Sequence, residues 1–137
     1  MKTKINKQGL TLIEILIATL IFSVALGALL SSLAAVVDII DFSRDRTIAI
    51  ADLRNIMETI RATPFDSLVA KFPNAMADGP ANNPYANITG GYTLKSEHIT
   101  VTYVNPNIDP LEIKVSGTWQ DKKSHSFSAS LSTFRTR

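Results

Sequence analysis

The 137-residue sequence predicts an α+β fold, in which a long N-terminal spine helix packs on a small C-terminal antiparallel β-sheet. Three observations predict this fold. Residues 10–62 have a helical pattern of apolar residues, residues 63–91 are rich in proline, glycine and asparagine, and residues 92–137 alternate apolar and polar side chains. Because the helical and strand patterns occupy separate parts of the chain, the class is α+β rather than α/β.

The first half of the predicted helix, residues 10–37, is a transmembrane segment. It has no charged residue from Ile15 to Val37, and a helix of about 20 apolar residues can cross a bilayer. The lysines in residues 1–9 precede this segment and aspartates follow it, which favours a cytoplasmic N-terminus. The apolar segment of this chain is too long for a conventional secretory signal, whose apolar region has only about 7–15 residues.

Residues 38–62 are the amphipathic half of the same helix. Their apolar residues recur at steps of three and four, which is the pattern of a helix with one buried face. The members of this stripe are Ile39, Phe42, Ala49, Leu53, Ile56, Met57 and Ile60. Pro64 ends the helix, since the residue before a proline is pushed out of the helical conformation. Asp52 falls on the polar side in this interpretation.

Residues 63–91 are predicted to be a long loop, with a short helical turn around residues 65–72. Residues 92–137 then show period-two segments around 99–103, 111–119 and 127–131, separated by turn-rich connections. This pattern predicts an antiparallel sheet of three or four strands with one apolar face. Such a sheet needs a cover, and the apolar stripe of residues 38–62 is the expected one.

Composition excludes several functions. The chain has no cysteine, so neither a disulfide nor a cysteine-ligated metal is available. Three of the 14 basic residues precede Gly9, which leaves 11 basic and 12 acidic side chains in residues 10–137 and no basic face for nucleic acid. His98 and His125 are isolated, and no serine, histidine and acid arrangement indicates a nucleophile. We therefore expect no enzyme activity, no metal and no cofactor.

The most informative segment is K-Q-G-L-T-L-I-E, residues 7–14. In this segment Gly9, and then a lone carboxylate, Glu14, lie at the N-terminal end of the apolar run. An unpaired charge in a membrane helix costs several kcal/mol, so a partner for this carboxylate is expected.

This segment, the basic leader and the helix-then-sheet order together resemble the type IV pilin superfamily, with Leu10 in place of the usual phenylalanine. The resemblance implies that a prepilin peptidase cleaves between Gly9 and Leu10 and methylates the new amino group of Leu10. It also implies that Glu14 pairs with the N-terminal ammonium of a neighbouring subunit. A glutamate solvated by lipid headgroups and favoured by the helix dipole is the alternative.

Small side chains recur every four residues along the transmembrane half and predict a helix-packing ridge, since such rows let membrane helices approach closely. The ridge consists of Thr19, Ser23, Gly27, Ser31 and Ala35. Ordinary small residues in a membrane helix are the alternative interpretation. In the loop after the first strand, Asn105, Asn107 and Asp109 have a spacing that calcium loops use, although turn formation explains them better.

The resemblance implies a structural subunit of a type IV pilus-like filament, most similar to a minor pilin that primes or modifies assembly. A minor pseudopilin of a type II secretion system is one alternative, and an unprocessed, signal-anchored binding module is another. The implied partners are the prepilin peptidase, other pilin or pseudopilin subunits, an inner-membrane platform protein and the lipid bilayer. The implied location is the bacterial inner membrane, with the C-terminal domain in the periplasm or outside the cell.

Overall fold

A computed structural model describes residues 11–104 and 109–136, and it confirms the predicted α+β class. The long helix packs against a three-stranded antiparallel sheet with strand order β1-β2-β3. The elements are α1 Leu12–Ala62, α2 Phe65–Lys71, α3 Tyr85–Thr89, β1 Lys95–Tyr103, β2 Leu111–Gln120 and β3 Ser126–Arg135. The chain divides into two compact units between Ile40 and Asp41.

In the first unit, every described side chain is exposed to solvent. The apolar side chains from Leu12 to Val37 therefore have no partners within the chain. Among the described elements, only α1 is long and apolar enough to cross a membrane. This exposure, together with the apolar composition, fits membrane anchoring.

The core of the second unit lies between α1 and the sheet. Helix α1 contributes Leu53, Ile56 and Ile60, each with no exposed surface, and Ala49 and Met57 are also buried. The predicted stripe was wrong at its N-terminal end, because Ile39 remains 65% exposed. Phe42 is 38% exposed but contacts the Phe127 ring at a centroid distance of 4.9 Å. The buried face is therefore formed mainly by the last four turns of the helix.

The polar side of the stripe contains a second error, at Asp52. This side chain is only 7% exposed, although an aspartate on the polar side of the helix was expected to be exposed to solvent. Glu97 on β1 is equally buried, at 6%. Helical periodicity alone did not reveal that two acidic residues enter the interface between α1 and β1.

The sheet has the alternating burial that its sequence predicts. On β2 the residues from Leu111 to Trp119 alternate between buried and more exposed positions, and β2 is paired on both sides. Helix α1 closely approaches β2 at Gly117, where an added Cβ atom would lie 3.2 Å from Leu53 Cδ2. A glycine at this position lets the leucine side chain rest directly on the strand.

The segment between α2 and α3 covers the outer edge of β1. The backbone N–H groups of Ala75 and Asp78 donate to the carbonyls of Val101 and Ile99, at 2.8 and 2.7 Å. Gly79, with a φ of +76°, follows and packs against the Tyr85 ring. The predicted helical turn near residues 65–72 is present as α2, whereas α3 was not expected.

The end of β3 caps the C-terminus of α1. The Arg135 guanidinium donates hydrogen bonds to the carbonyls of Ile60 and Thr63 at 2.7 and 2.6 Å. The Ile60 carbonyl also accepts from the Thr63 backbone N–H at 3.3 Å, and the guanidinium charge complements the partial negative charge at this end of the helix. The last strand therefore holds the long helix at the point where it stops.

Candidate assembly site at the start of the long helix

The first described turn of α1 contains a reciprocal pair of hydrogen-bonding residues. Thr11 precedes the helix and donates from its backbone N–H and its hydroxyl to the Glu14 carboxylate, at 2.8 and 2.9 Å. The Glu14 backbone N–H lies 3.4 Å from the Thr11 hydroxyl oxygen, which accepts from it. Together these bonds form a capping box, which satisfies backbone donors that an uncapped helix would leave free.

The carboxylate of Glu14 is thus bound locally, but among residues 11–104 and 109–136 its charge has no counter-ion. No lysine, arginine or histidine within residues 11–104 and 109–136 forms an ion pair with it. The partial positive charge of the helix N-terminus is the one favourable field that the described residues provide. In an apolar environment this arrangement would leave most of the cost of the charge uncompensated.

The predicted cleavage and methylation positions, Gly9 and Leu10, lie outside the described residues. They stay predictions from the sequence. Thr11 is the second residue after the predicted junction, so the capping box lies close to it. The spacing of a threonine and a glutamate three residues apart is the signature of a capping box. Sequence reasoning considered an assembly ion pair and the helix dipole for Glu14 and missed its hydrogen bonds with Thr11, although the signature was visible.

The predicted ridge of small residues is fully exposed along α1. Its hydroxyl groups donate to carbonyls of the same helix: Thr19 to Leu16 at 2.9 Å, Ser23 to Thr19 at 2.7 Å and Ser31 to Gly27 at 3.0 Å. A Cβ atom added at Gly27 would meet nothing within 4 Å. The ridge therefore presents small side chains whose hydroxyl groups already donate to the helix backbone. No contact among the described residues requires a glycine at position 27.

Each histidine is bonded to one aspartate rather than to a cluster of ligands. His98 Nδ1 lies 2.7 Å from Asp78, and His125 Nδ1 lies 2.9 Å from Asp121. Burial acts to raise the pKa of Asp78, but hydrogen bonds from His98, Ile99 N–H and the Tyr92 hydroxyl outweigh it and lower that pKa. The described residues contain no group of three or more histidine and carboxylate side chains that could hold a metal.

The loop proposed for calcium is described only in part. Asp109 is within the described residues, whereas Asn105 and Asn107 are outside them. The alternative of a turn or a cation at this loop therefore stays a sequence-based hypothesis. The described part of the chain directs attention to the start of α1 instead.

Comparison with known proteins agrees with this location. Residues 4–30 match a family model described as the prokaryotic N-terminal methylation motif, which is the type IV pilin signal. The matched segment contains Gly9, Leu10 and Glu14. Searches of curated proteins and of solved structures returned no match for the chain.

The match supports a type IV pilin-like or pseudopilin-like protein. The motif implies a substrate of prepilin peptidase that assembles with other pilin subunits. Proteins with this signal are structural rather than enzymatic.

Proposed function

We propose that this chain, which has the type IV pilin signal in residues 4–30, is a structural subunit of a type IV pilus-like filament. Prepilin peptidase removes residues 1–9 and methylates Leu10, and the subunit then acts as a minor pilin that primes or modifies assembly. The main support is that the matched signal leads directly into a helix whose apolar side chains are exposed from Leu12 to Val37.

The exposed helix supports a subunit that occupies two apolar environments in turn. Burying apolar surface gains about 25 cal/mol for each Å² removed from water, so this helix is unstable in water alone. The lipid tails of a bilayer cover this apolar surface before assembly, and a bundle of identical or related helices covers it afterwards. The folded unit at residues 41–137 remains outside the membrane in both states and follows the helix into the filament.

Glu14 has a different partner in each state under this proposal. Before assembly the capping box with Thr11 and the helix dipole hold the carboxylate. Cleavage creates an ammonium group at Leu10, one residue before Thr11. In the filament, the ammonium of a neighbouring subunit neutralises Glu14 in a medium of low dielectric constant, where such a pair is strongly favoured over either charge alone.

Experiments can distinguish two alternative functions from this proposal. A minor pseudopilin of a type II secretion system would share the signal, the exposed helix and the covered sheet. Deleting the gene and scoring pili against secreted protein separates the two systems. An unprocessed, signal-anchored binding module would keep residues 1–9, and its mass distinguishes it from both filament proteins.

Processing is tested by replacing Gly9 with valine. A residue without a side chain lets the backbone approach a protease site closely, so we expect Gly9→Val to abolish cleavage. The full chain is expressed with and without a prepilin peptidase, and its N-terminus is measured by mass spectrometry. The wild-type chain is expected to lose residues 1–9 and to gain one methyl group only when the peptidase is present.

The matched control is Gly27→Val, which makes the same substitution inside the helix and should leave cleavage unchanged. An intact Met1 in the wild-type chain, despite active peptidase, would contradict the filament proposal and favour the signal-anchored module. Normal cleavage of Gly9→Val would move the junction away from Gly9 and Leu10.

The ridge from Thr19 to Ala35 is proposed to face other helices in the filament. Replacing Gly27 and Ser31 together with leucine should reduce filament incorporation at least tenfold, because bulky side chains prevent close approach of the helices. Processing should be unaffected, and immunoblots of sheared filaments against whole cells measure the ratio. Equal incorporation of this double variant and the wild-type chain would show that the row has no packing role.

A further inference from the structure

Two buried acidic side chains face each other across the interface between α1 and β1, and the proposed assembly function does not use them. Asp52 and Glu97 are 7% and 6% exposed, and their carboxyl groups are hydrogen bonded to each other. Two ionised carboxylates have no proton to donate. The observed contact therefore requires that one of the two groups is protonated.

The described surroundings provide no ion-paired cation to neutralise a second charge. Within residues 11–104 and 109–136, neither carboxyl group forms an ion pair with a lysine, arginine or histidine. On α1 the neighbouring turns present Ala49 and Ile56 on the buried face. Lys95, on β1 near Glu97, directs its ammonium to the Ser124 hydroxyl at 2.9 Å.

The remaining neighbours are donors or uncharged groups. The backbone N–H of Leu94 donates to Glu97 Oε2 at 3.2 Å, and that of Thr93 also bonds this carboxylate. Tyr92 is the titratable neighbour on the preceding loop, and its hydroxyl donates to Asp78 at 3.0 Å. On β2, the pairing register places Trp119 opposite the bulge that contains Glu97. These groups supply hydrogen-bond donors to Glu97 but no positive charge to the pair of carboxyl groups.

Burial and mutual repulsion act on both groups in the same direction. Burial raises the pKa of Asp52, although its hydrogen bond with Glu97 partly opposes this effect. Burial also raises the pKa of Glu97, and the nearby charge of Asp52 adds to the rise, while the Leu94 N–H opposes it. Because the groups interact, they titrate as a pair rather than as two independent acids.

We propose that Asp52 and Glu97 share one proton and form a pH-dependent clamp between helix α1 and strand β1. With one proton the carboxyl groups bond each other and hold the helix on the sheet. When that proton leaves, two like charges face each other at a buried interface and push α1 away from β1. A domain outside the cytoplasm experiences the pH of its surroundings, so the clamp makes the stability of this subunit respond to external acidity.

The direction of the effect follows from proton linkage. The folded pair binds a proton more tightly than the same residues do in the unfolded chain, where carboxyl pKa values are about 4. The contribution to stability is therefore complete below the unfolded values and is lost as the pH rises through the raised folded values. Above the unfolded values of about 4, the protein should therefore become less stable as the pH increases.

The test is thermal unfolding of the full chain in detergent micelles, followed by the fluorescence of Trp119, the single tryptophan. We expect the wild-type Tm to fall by about 4 °C or more between pH 5 and pH 8. In Asp52→Asn and in Glu97→Gln, the pair retains a donor and an acceptor, but one of its two members is always uncharged. Each should flatten this dependence and unfold at pH 8 at a temperature no lower than the wild-type protein.

Glu58→Gln is the matched control, because Glu58 is an exposed carboxylate on the same helix. Its Tm should follow the wild-type pH dependence, including any part due to the two histidine–aspartate pairs. A wild-type slope retained in both Asp52→Asn and Glu97→Gln would overturn the clamp. Should a variant not fold, carbon NMR of the wild-type carboxyl groups decides. A shared titration step above the ordinary value supports the clamp, and independent titration of both groups near about 4 contradicts it.

Discussion

Glu14→Ala is expected to reduce incorporation into filaments by at least a hundredfold while leaving cleavage at Gly9 intact. The substitution removes one member of the proposed ion pair, and an unpaired charge left in a buried site costs about 3–5 kcal/mol. It also removes the carboxylate that accepts from Thr11, which is one half of the capping box and adds to the cost of starting the helix. Sheared filaments and membranes from the same cells are compared by immunoblot, with mass spectrometry confirming processing.

Two further variants separate the charge of Glu14 from its capping role. Glutamine at this position still accepts from Thr11, so Glu14→Gln retains the capping box and loses only the charge. Thr11→Ala does the opposite, since it removes the hydroxyl that bonds Glu14 and keeps the carboxylate. We expect Glu14→Gln to fail in assembly and Thr11→Ala to assemble at a reduced level. If Glu14→Gln assembled normally and Thr11→Ala did not, the residue would act through the helix start rather than through an ion pair.

The start of α1 shows how far a local sequence pattern can predict a site. Glu14 was identified because a charge is costly beside an apolar run, and this argument needs no structure. The capping box with Thr11 was also encoded in the spacing of two residues and could have been predicted. By contrast, the proposed ammonium partner of Glu14 belongs to a neighbouring subunit, so no local pattern in this chain tests that pairing.

The fold follows the same division between local and tertiary information. Helix α1 and the three strands were predictable, because each has many residues with a regular period. Helix α3, Tyr85–Thr89, spans only five residues and was missed. It belongs to a segment held on β1 by bonds such as that from Asp78 N–H to Ile99, which join residues far apart in the sequence.

Asp52 was misplaced for a related reason. An aspartate is usually exposed, and its position on the helical wheel agreed with that expectation. Its burial arises from tertiary packing, which joins it to Glu97, a residue 45 positions later in the sequence. A buried carboxyl pair of this kind is thus invisible to periodicity and becomes apparent only from the packed structure.

The contact between Leu53 and Gly117 supplies the largest stability prediction. Leu53 has no exposed surface and rests on the strand at the glycine. Leu53→Ala should lower the free energy of unfolding by about 2–5 kcal/mol, since it removes buried apolar atoms and leaves a cavity. Urea unfolding of the full chain in micelles, followed by Trp119 fluorescence, measures the loss. Val69→Ala is the control, because Val69 is 60% exposed and its truncation should change stability by less than about 0.5 kcal/mol.

A second substitution at Gly117 tests whether this contact, rather than the leucine alone, sets the helix–sheet distance. Gly117→Ala in the wild-type chain places a methyl group 3.2 Å from Leu53 Cδ2, so it should destabilise by about 1 kcal/mol through overpacking. In the Leu53→Ala background the same methyl group enters vacated space. We therefore expect the double variant to be more stable than the sum of the single effects predicts, by about 1 kcal/mol or more. Strict additivity would mean that the sheet accommodates a methyl group without the leucine, and that Gly117 does not determine how closely α1 approaches β2.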